Sequence, residues 1–85
     1  MLEITVYTTE ACSFCTRAKA LLDARGLDYQ EINLARDPDG RAELARRTGM
    51  LSFPQILIGD EVVGGFMELA GLDRSGRLRE LQSAA

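Results

Sequence analysis

The hydrophobic pattern changes period twice within the first 34 residues, and this change constrains the fold more than any other feature. Residues 2 to 7 alternate apolar and polar side chains, which is typical of a β-strand. Residues 13 to 25 place apolar side chains at helical spacing, and Gly26 follows as a C-terminal cap. Alternation returns over residues 29 to 34. Two strands joined by a crossover helix form a βαβ unit.

A second helix is predicted over residues 38 to 48. Asp37 is a candidate N-cap, and Pro38 suits the first position of a helix. Gly49 follows as a stop signal.

Two short strands and two helices are predicted for the rest of the chain. Residues 56 to 58 and 61 to 63 flank Gly59-Asp60, which suits a two-residue type II′ hairpin turn. A short helix is expected over residues 66 to 72. Asp73 is then a candidate cap of a final helix whose inward-facing residues are Leu78 and Leu81.

Composition limits the functions open to this chain. The 85 residues are 46% hydrophobic and 27% charged, which predicts one globular domain over residues 1–85. The formal net charge is -3, so nucleic acid is not an expected partner. The sequence has no basic leader before a long apolar run and no stretch approaching a membrane span, so we expect no membrane partner and a cytoplasmic location.

The chain has two cysteines, Cys12 and Cys15, and no histidine. Thiolate and imidazole ligands within one chain therefore cannot complete a four-ligand zinc site. A C-x-x-C pair between a strand and a helix places the first sulfur at the helix N-terminus, where thiol pKa values fall from about 8.5 to roughly 3.5–7.5. Cys12 is therefore the candidate nucleophile, and Cys15 the more buried resolving thiol. The alternatives are a chance pair or half of an intermolecular metal site.

Three further features allow two interpretations each. Pro54 marks either a plain strand boundary or a cis proline that would present the backbone of Phe53 to an extended peptide. Gly64-Gly65 is either a simple turn into a helix or a site whose following N–H groups receive a carboxylate. Arg17 and Lys19 are interpreted as ordinary solvated charges rather than as participants in the chemistry.

Taken together and in this order, Cys12-Ser13-Phe14-Cys15, Ser52-Phe53-Pro54-Gln55 and Gly64-Gly65 resemble the glutaredoxin family. The resemblance covers nearly the whole chain. It implies an α/β, thioredoxin-like fold with a four-stranded mixed sheet in the order 2-1-3-4, flanked by helices on both faces. It also implies that Pro54 is cis.

The resemblance implies a monomeric enzyme that reduces protein disulfides and glutathione mixed disulfides, with glutathione as the reductant and co-substrate. Cys12 would attack the substrate sulfur, and Cys15 would resolve the mixed disulfide. Its partners would be glutathione and disulfide-containing or glutathionylated proteins. The residues implied to bind glutathione are Phe14, Arg46, Phe53, Pro54, Gly65, Phe66 and Met67.

Several positions depart from the family pattern and keep other functions open. Ser13 replaces a frequent proline and is similar to members that hold a [2Fe-2S] cluster between two protomers, which would make Cys12 a ligand in an iron–sulfur carrier. Thr9 replaces a lysine that helps to hold glutathione, which leaves open a redoxin recharged by thioredoxin reductase. A binding module without turnover is a further alternative. Met67 replaces an acidic residue, so Glu68 is the carboxylate available to the glutathione amine.

Overall fold

The computed structural model describes residues 3–84, so Leu2 of the first predicted strand lies outside the described residues. The elements in chain order are β1 (Ile4–Thr8), α1 (Ser13–Ala24), β2 (Gln30–Asn33), α2 (Pro38–Thr48), β3 (Gln55–Ile58), β4 (Glu61–Gly64), α3 (Phe66–Arg74) and α4 (Arg77–Ala84).

The four strands form one mixed sheet in the order β2-β1-β3-β4, as the resemblance implied. Strand β1 is parallel to β2 and antiparallel to β3, and β3 is antiparallel to β4. Strands β1 and β4 therefore run in the same direction. Their C-terminal ends, at Thr8 and Gly64, lie at the same edge of the sheet as the start of β3 at Gln55. We call this edge the cysteine edge, because the chain leads from Thr8 directly to Cys12.

Helices cover both faces of the sheet. The main core lies on one face, where α1, α3 and α4 pack on the strands through Ile4, Val6, Ala18, Leu22, Leu27, Ile56, Ile58, Leu69 and Leu78. Leu57 alternates with Ile56 and Ile58 and so points to the other face. Gln55 shares that face and accepts a hydrogen bond of 2.8 Å from the hydroxyl of Thr48 in α2. The prediction of helices on both faces is confirmed.

Local capping signals produce α2 as predicted. Asp37 accepts a hydrogen bond of 2.9 Å from the backbone N–H of Gly40, and Pro38 occupies the first turn. Gly49 ends the helix in the left-handed conformation, with φ of 75°. Gly59 has φ of 59°, the positive value that a type II′ turn requires at its first central residue.

The C-terminal helices differ from the prediction in one respect. Asp73 does not cap the last helix: it lies within α3, and both of its carboxylate oxygens accept hydrogen bonds from Arg25, at 2.6 and 2.9 Å. A distant ion pair has therefore taken the oxygens that a cap would need. Leu78 is buried and Leu81 is partly buried, as predicted. Within residues 3–84, no helix combines the length and the apolar character needed to cross a bilayer.

Candidate active site

Cys12 is the N-cap of α1. Its backbone is extended, with φ of −114° and ψ of 100°, and its sulfur accepts a hydrogen bond of 3.1 Å from the backbone N–H of Cys15. The two cysteines form a disulfide, with their Cα atoms 5.2 Å apart. Cys12 is half-buried, whereas Cys15 is only 3% exposed. Cys15 is therefore the more buried of the two cysteines, as predicted, and Cys12 at the helix end is the more accessible one.

The backbone around Cys12 offers hydrogen-bond donors at the start of a helix. The first turn of α1 contains no acidic residue, and its N–H groups carry the positive end of the helix dipole. Ala11, just before the cysteine, has φ of 53°, a conformation that costs a non-glycine residue about 1–2 kcal/mol. The loop therefore turns sharply here, just before Cys12 and the start of α1.

Aromatic side chains connect the cysteine loop to α3. Phe14 is 46% exposed, and its ring lies 5.9 Å from the ring of Phe66 at an interplanar angle of 34°. The guanidinium of Arg17 lies 5.3 Å from the centre of the Phe14 ring, within the range of a cation–π interaction. Two residues predicted to bind glutathione, Phe14 and Phe66, are therefore brought together.

The segment before β3 lies at the cysteine edge. The Phe53-Pro54 peptide bond is cis, as the resemblance implied, and Pro54 is buried while Phe53 is half-buried. Gln55 is 1% exposed and holds this segment through its side-chain amide. The amide is hydrogen-bonded to the hydroxyl of Thr48 at 2.8 Å and to the carbonyl groups of Met50 and Ser52 at 3.1 and 2.9 Å.

The N-terminus of α3 lies beside Pro54. Gly65 is the N-cap, and a Cβ built on it would lie 3.6 Å from the carbonyl oxygen of Pro54. The carboxylate of Glu68 accepts a hydrogen bond of 2.8 Å from the backbone N–H of Gly65. The N–H groups of Phe66 and Met67 in the first turn have no acceptor within the helix. Met67 is 62% exposed, so this helix end is open to an approaching ligand.

The two arginines at the end of α2 point to different partners. The guanidinium of Arg46 forms an ion pair with Glu43, one turn earlier on the same helix. Arg47 was not singled out from the sequence, but its guanidinium lies 3.5 Å from the hydroxyl of Tyr7 on β1. The tandem arginines were the available signal, but the sequence could not show which one turns toward the sheet.

A polar cleft of about 430 Å³ opens on the other side of the cysteines. Glu31 accepts hydrogen bonds from the hydroxyl of Thr8, at 2.8 Å, and from the ammonium of Lys19, at 3.1 Å. The Thr8 hydroxyl is the main reason why the pKa of Glu31 lies below its ordinary value; burial opposes this effect and Lys19 adds to it. The cleft is lined by Thr8, Thr9, Ala11, Cys12, Ser13, Cys15, Thr16, Lys19, Glu31 and Asn33.

Sequence reasoning missed this cleft. Glu31 and Thr8 are 23 residues apart on neighbouring parallel strands, and strand periodicity gives no sign of their contact. Lys19 was interpreted as a solvated surface charge, but it is held against Glu31. Among the described residues, no group of three or more histidine, cysteine, aspartate or glutamate side chains is arranged to hold a metal ion.

Comparison with known proteins agrees with this geometry. A glutaredoxin family model matches residues 4–63. The chain is 48% identical over 81 residues to a glutaredoxin of Pseudomonas aeruginosa, with 95% of this chain and 96% of that protein covered. It is 38% identical to glutaredoxin 3 of Escherichia coli K12, with 95% and 98% covered.

Solved structures give the same result. A buckwheat glutaredoxin in complex with glutathione superposes with a TM-score of 0.86 at 30% identity, with 98% of this chain and 78% of that one covered. Glutaredoxin from Brucella melitensis gives a TM-score of 0.83 at 41% identity, with 96% and 89% covered. The matched family model, the sequence identity over most of the chain and the C-x-x-C disulfide at the start of α1 lead to one conclusion: this chain is a member of the glutaredoxin family, with its thioredoxin-like fold and its thiol-disulfide oxidoreductase activity.

Proposed function

We propose that this thiol-disulfide oxidoreductase uses glutathione as its reductant and acts on protein disulfides and glutathione mixed disulfides. The observation that carries the thiol-exchange part of the proposal is the different burial of the two cysteines. Cys12 caps α1 and is accessible, whereas Cys15 is 3% exposed beneath it. An accessible sulfur at a helix N-terminus suits nucleophilic attack, and a buried neighbour suits attack within the molecule.

The reaction proceeds through a mixed disulfide at Cys12. The Cys12 thiolate attacks one sulfur of the substrate disulfide, and the other sulfur leaves and takes up a proton. With a protein substrate, the Cys15 thiol then loses its proton and attacks the Cys12 sulfur, which releases the second substrate thiol and forms the Cys12–Cys15 disulfide. Two molecules of glutathione reduce that disulfide and become oxidised glutathione. With a glutathione mixed disulfide, a second glutathione can resolve the intermediate at Cys12.

The groove between the Phe53-Pro54 segment and α3 offers groups that complement glutathione. The backbone of Phe53 would pair with the cysteinyl part of the tripeptide. The first-turn N–H groups of Phe66 and Met67 would receive the γ-glutamyl carboxylate, as at other helix N-termini. Glu68 is the acidic group near the expected position of the γ-glutamyl amine. A buckwheat relative was solved in complex with glutathione, which supports glutathione as the ligand.

The glycyl carboxylate of glutathione requires a cation. Lys19, the only lysine of the chain, is paired with Glu31, and Thr9 stands where a lysine is frequent in the family, so arginines are the candidates for that charge. Arg46 is our first candidate, although it must leave Glu43 to reach a ligand. Arg47, already beside Tyr7 of β1, is a second candidate.

The proposal is tested by coupled assays of the wild type, Cys12→Ser and Cys15→Ser. Each protein is given a glutathionylated substrate and NADPH, with either glutathione and glutathione reductase or thioredoxin reductase. We expect the wild type to turn over with the glutathione system, Cys12→Ser to be inactive, and Cys15→Ser to retain activity on the mixed disulfide. Turnover of the wild type with thioredoxin reductase alone would refute glutathione as the reductant. The iron–sulfur alternative rests on Ser13 alone, since no feature of the described residues adds to it.

A further inference from the structure

The polar cleft next to Cys15 contains one charged pair. Both cysteines line the cleft, and its charged side chains are Lys19 of α1 and Glu31 of β2. The ammonium of Lys19 lies 3.1 Å from the Glu31 carboxylate, and the two side chains are 30% and 34% exposed. We call these two residues the Lys19–Glu31 pair. The groove assigned to glutathione lies on the other side of the cysteines, so the pair is outside the binding site proposed above.

The resolving step makes a demand that no group described so far meets. Cys15 is 3% exposed, burial disfavours the charged form of a thiol in general, and only the thiolate attacks a disulfide. The proton must therefore leave and negative charge must develop on a sulfur with little access to solvent. The chain has no histidine to help with this step.

The fold holds the Lys19–Glu31 pair in the cleft that Cys15 also lines. Lys19 follows Cys15 by four residues on α1, so the two side chains are neighbours on one helix face. Thr8, which is 1% exposed, fixes Glu31 through a hydrogen bond of 2.8 Å. Lys19 is in turn held by the fixed carboxylate, so its charge stays at the cleft.

The other charged groups around the cysteines are engaged elsewhere. On α1, Arg17 lies over the Phe14 ring. On α3, Glu68 accepts the N–H of Gly65. In the loops after β1 and β2, Glu10 and Arg36 lie 3.9 Å apart and are largely exposed. Behind the pair, burial is the main reason why the pKa of Tyr29 is raised, with Asp23 adding to it, so the phenol stays neutral at neutral pH.

We propose that the Lys19–Glu31 pair controls the rate at which Cys15 resolves the mixed disulfide, with Lys19 stabilising the developing thiolate and Glu31 limiting that effect. In this step the Cys15 thiol gives its proton to water in the cleft, and its sulfur attacks Cys12. The bond from Cys12 to the substrate sulfur breaks, and the departing thiolate takes a proton from solvent. Both are positioning residues. The inference rests on the proposed function only in the role of Cys15, and not in the identity of the reductant.

The two residues should act in opposite directions. Glu31→Gln removes the negative charge and leaves the ammonium of Lys19 unopposed, so the thiolate of Cys15 becomes more populated. Lys19→Met removes the positive charge and leaves the Glu31 carboxylate unpaired, so the thiolate of Cys15 becomes less populated. A lower pKa also makes a thiolate a weaker nucleophile, with a Brønsted coefficient of about 0.4–0.5, so one pKa unit changes the rate by about three- to fourfold.

The experiment measures ring closure directly. Reduced protein is mixed with excess 2-hydroxyethyl disulfide, quenched with acid at successive times, and analysed by mass spectrometry for the mixed disulfide and the internal disulfide. The pH is varied between about 6 and 9, around the ordinary thiol pKa. We expect closure to be about two- to fourfold faster in Glu31→Gln and slower by a similar factor in Lys19→Met. The pH profile of the closure rate should shift to lower pH in Glu31→Gln and to higher pH in Lys19→Met.

Matched variants separate this role from a structural one. Lys19→Arg keeps the charge and should close at nearly the wild-type rate. Glu80→Gln, which removes a carboxylate from the exposed pair with Arg77 on α4, should not alter closure. If Glu31→Gln does not fold by circular dichroism, Lys19→Met and Lys19→Arg still decide the question.

Shifts of the closure rate in the same direction in Glu31→Gln and Lys19→Met, or no shift in either, would overturn the inference. So would equal slowing in Lys19→Met and Lys19→Arg. Failure of this inference can be distinguished from failure of the proposed function. Absence of turnover with glutathione would refute the reductant but leave closure measurable, whereas absence of closure in the wild type would refute the role of Cys15 itself.

Discussion

Helices α1 and α3 both begin at the cysteine edge, and each N-terminus is capped by a different chemical group. At α1 the cap is the sulfur of Cys12, which accepts the N–H of Cys15 at 3.1 Å. At α3 the cap is the carboxylate of Glu68, which reaches back to the N–H of Gly65 at 2.8 Å. Both use the unpaired donors and positive dipole that any helix N-terminus offers.

The difference lies in what happens to the cap during the reaction. In our proposal the cap of α1 is the attacking atom, so the backbone N–H that caps the helix donates to the same sulfur that reacts. The cap of α3 is a fixed charge that shares its helix end with the proposed carboxylate of glutathione. The same physical feature therefore serves chemistry at α1 and, in our proposal, recognition at α3.

The largest effect is expected at Cys12, where cap and nucleophile can be separated. Cys12→Ser and Cys12→Ala should both lose turnover by at least about 10³-fold, since each lacks the attacking sulfur. Serine is a preferred N-cap and alanine is not, so Cys12→Ser should be more stable than Cys12→Ala by about 1 kcal/mol. Coupled assays and urea unfolding measure the two quantities. Equal stability of the variants would show that this side chain does not cap α1.

A smaller effect is expected at Glu68. Glu68→Gln keeps an oxygen for the N–H of Gly65 but removes the charge available to the γ-glutamyl amine. The KM for glutathione should therefore rise by about three- to tenfold, while the KM for the disulfide substrate changes little. Steady-state kinetics in the glutathione reductase assay provide the measurement.

A modified reductant supplies the control for Glu68. N-acetylated glutathione has no amine to pair with a carboxylate, so its KM should not rise in Glu68→Gln. A rise for both reductants would mean that Glu68 acts through the shape of the helix end rather than through its charge.

The structure also shows which kinds of feature a sequence reveals. The bounds of α2, Pro38–Thr48, match the prediction because Asp37, Pro38 and Gly49 act on backbone within a few residues of themselves. Strands β1 and β2 followed from period-2 alternation, and the hairpin of β3 and β4 followed from the turn signal at Gly59-Asp60, which are also local features. The strand order and the cis bond at Pro54 came from family resemblance and not from such local signals.

Contacts between distant residues were not predictable in this way. Asp73 follows the N-cap pattern, but Arg25, 48 residues away, binds both of its oxygens. The contact of Thr8 with Glu31 depends on the pairing of β1 with β2, and nothing at either position marks it. The cysteine pair was predictable because helix and nucleophile are adjacent in sequence, whereas the cleft beside it was not.

Helix α2 provides a cap without a proposed functional role. Asp37 accepts the N–H of Gly40 at 2.9 Å, and neither residue lines the cleft that contains the cysteines. Asp37→Ala should lower the free energy of unfolding by about 1 kcal/mol and leave kcat and the KM for glutathione unchanged. Urea unfolding and the coupled assay test both parts. If Asp37→Ala were fully folded and still lost turnover, the cap of α2 would not be purely structural, and it would no longer differ from the caps of α1 and α3.

The smallest effect is expected at the C-terminal ends of α1 and α3, where Arg25 after α1 binds Asp73 of α3. The hydrogen bond from Arg25 is the main reason why the pKa of Asp73 lies below its ordinary value. A carboxylate with a lowered native pKa stabilises the fold above its unfolded pKa of about 3.9, and this stability is lost as the pH falls below that value. Asp73→Asn should therefore lower Tm at neutral pH, and its difference from the wild type should shrink below about pH 4.

Solvent limits the size of this effect, because the side chain of Arg25 is 44% exposed and the ion pair is screened by water and salt. Thermal unfolding of the wild type and Asp73→Asn across this pH range gives the comparison, with Glu80→Gln as the control for loss of an exposed carboxylate. Turnover should be unchanged, since the pair joins the helices far from the cysteine edge. A difference in Tm that persists unchanged at low pH would mean that Asp73 stabilises the fold by packing. The charge of the Arg25–Asp73 pair would then not contribute to holding the C-terminal ends of α1 and α3 together.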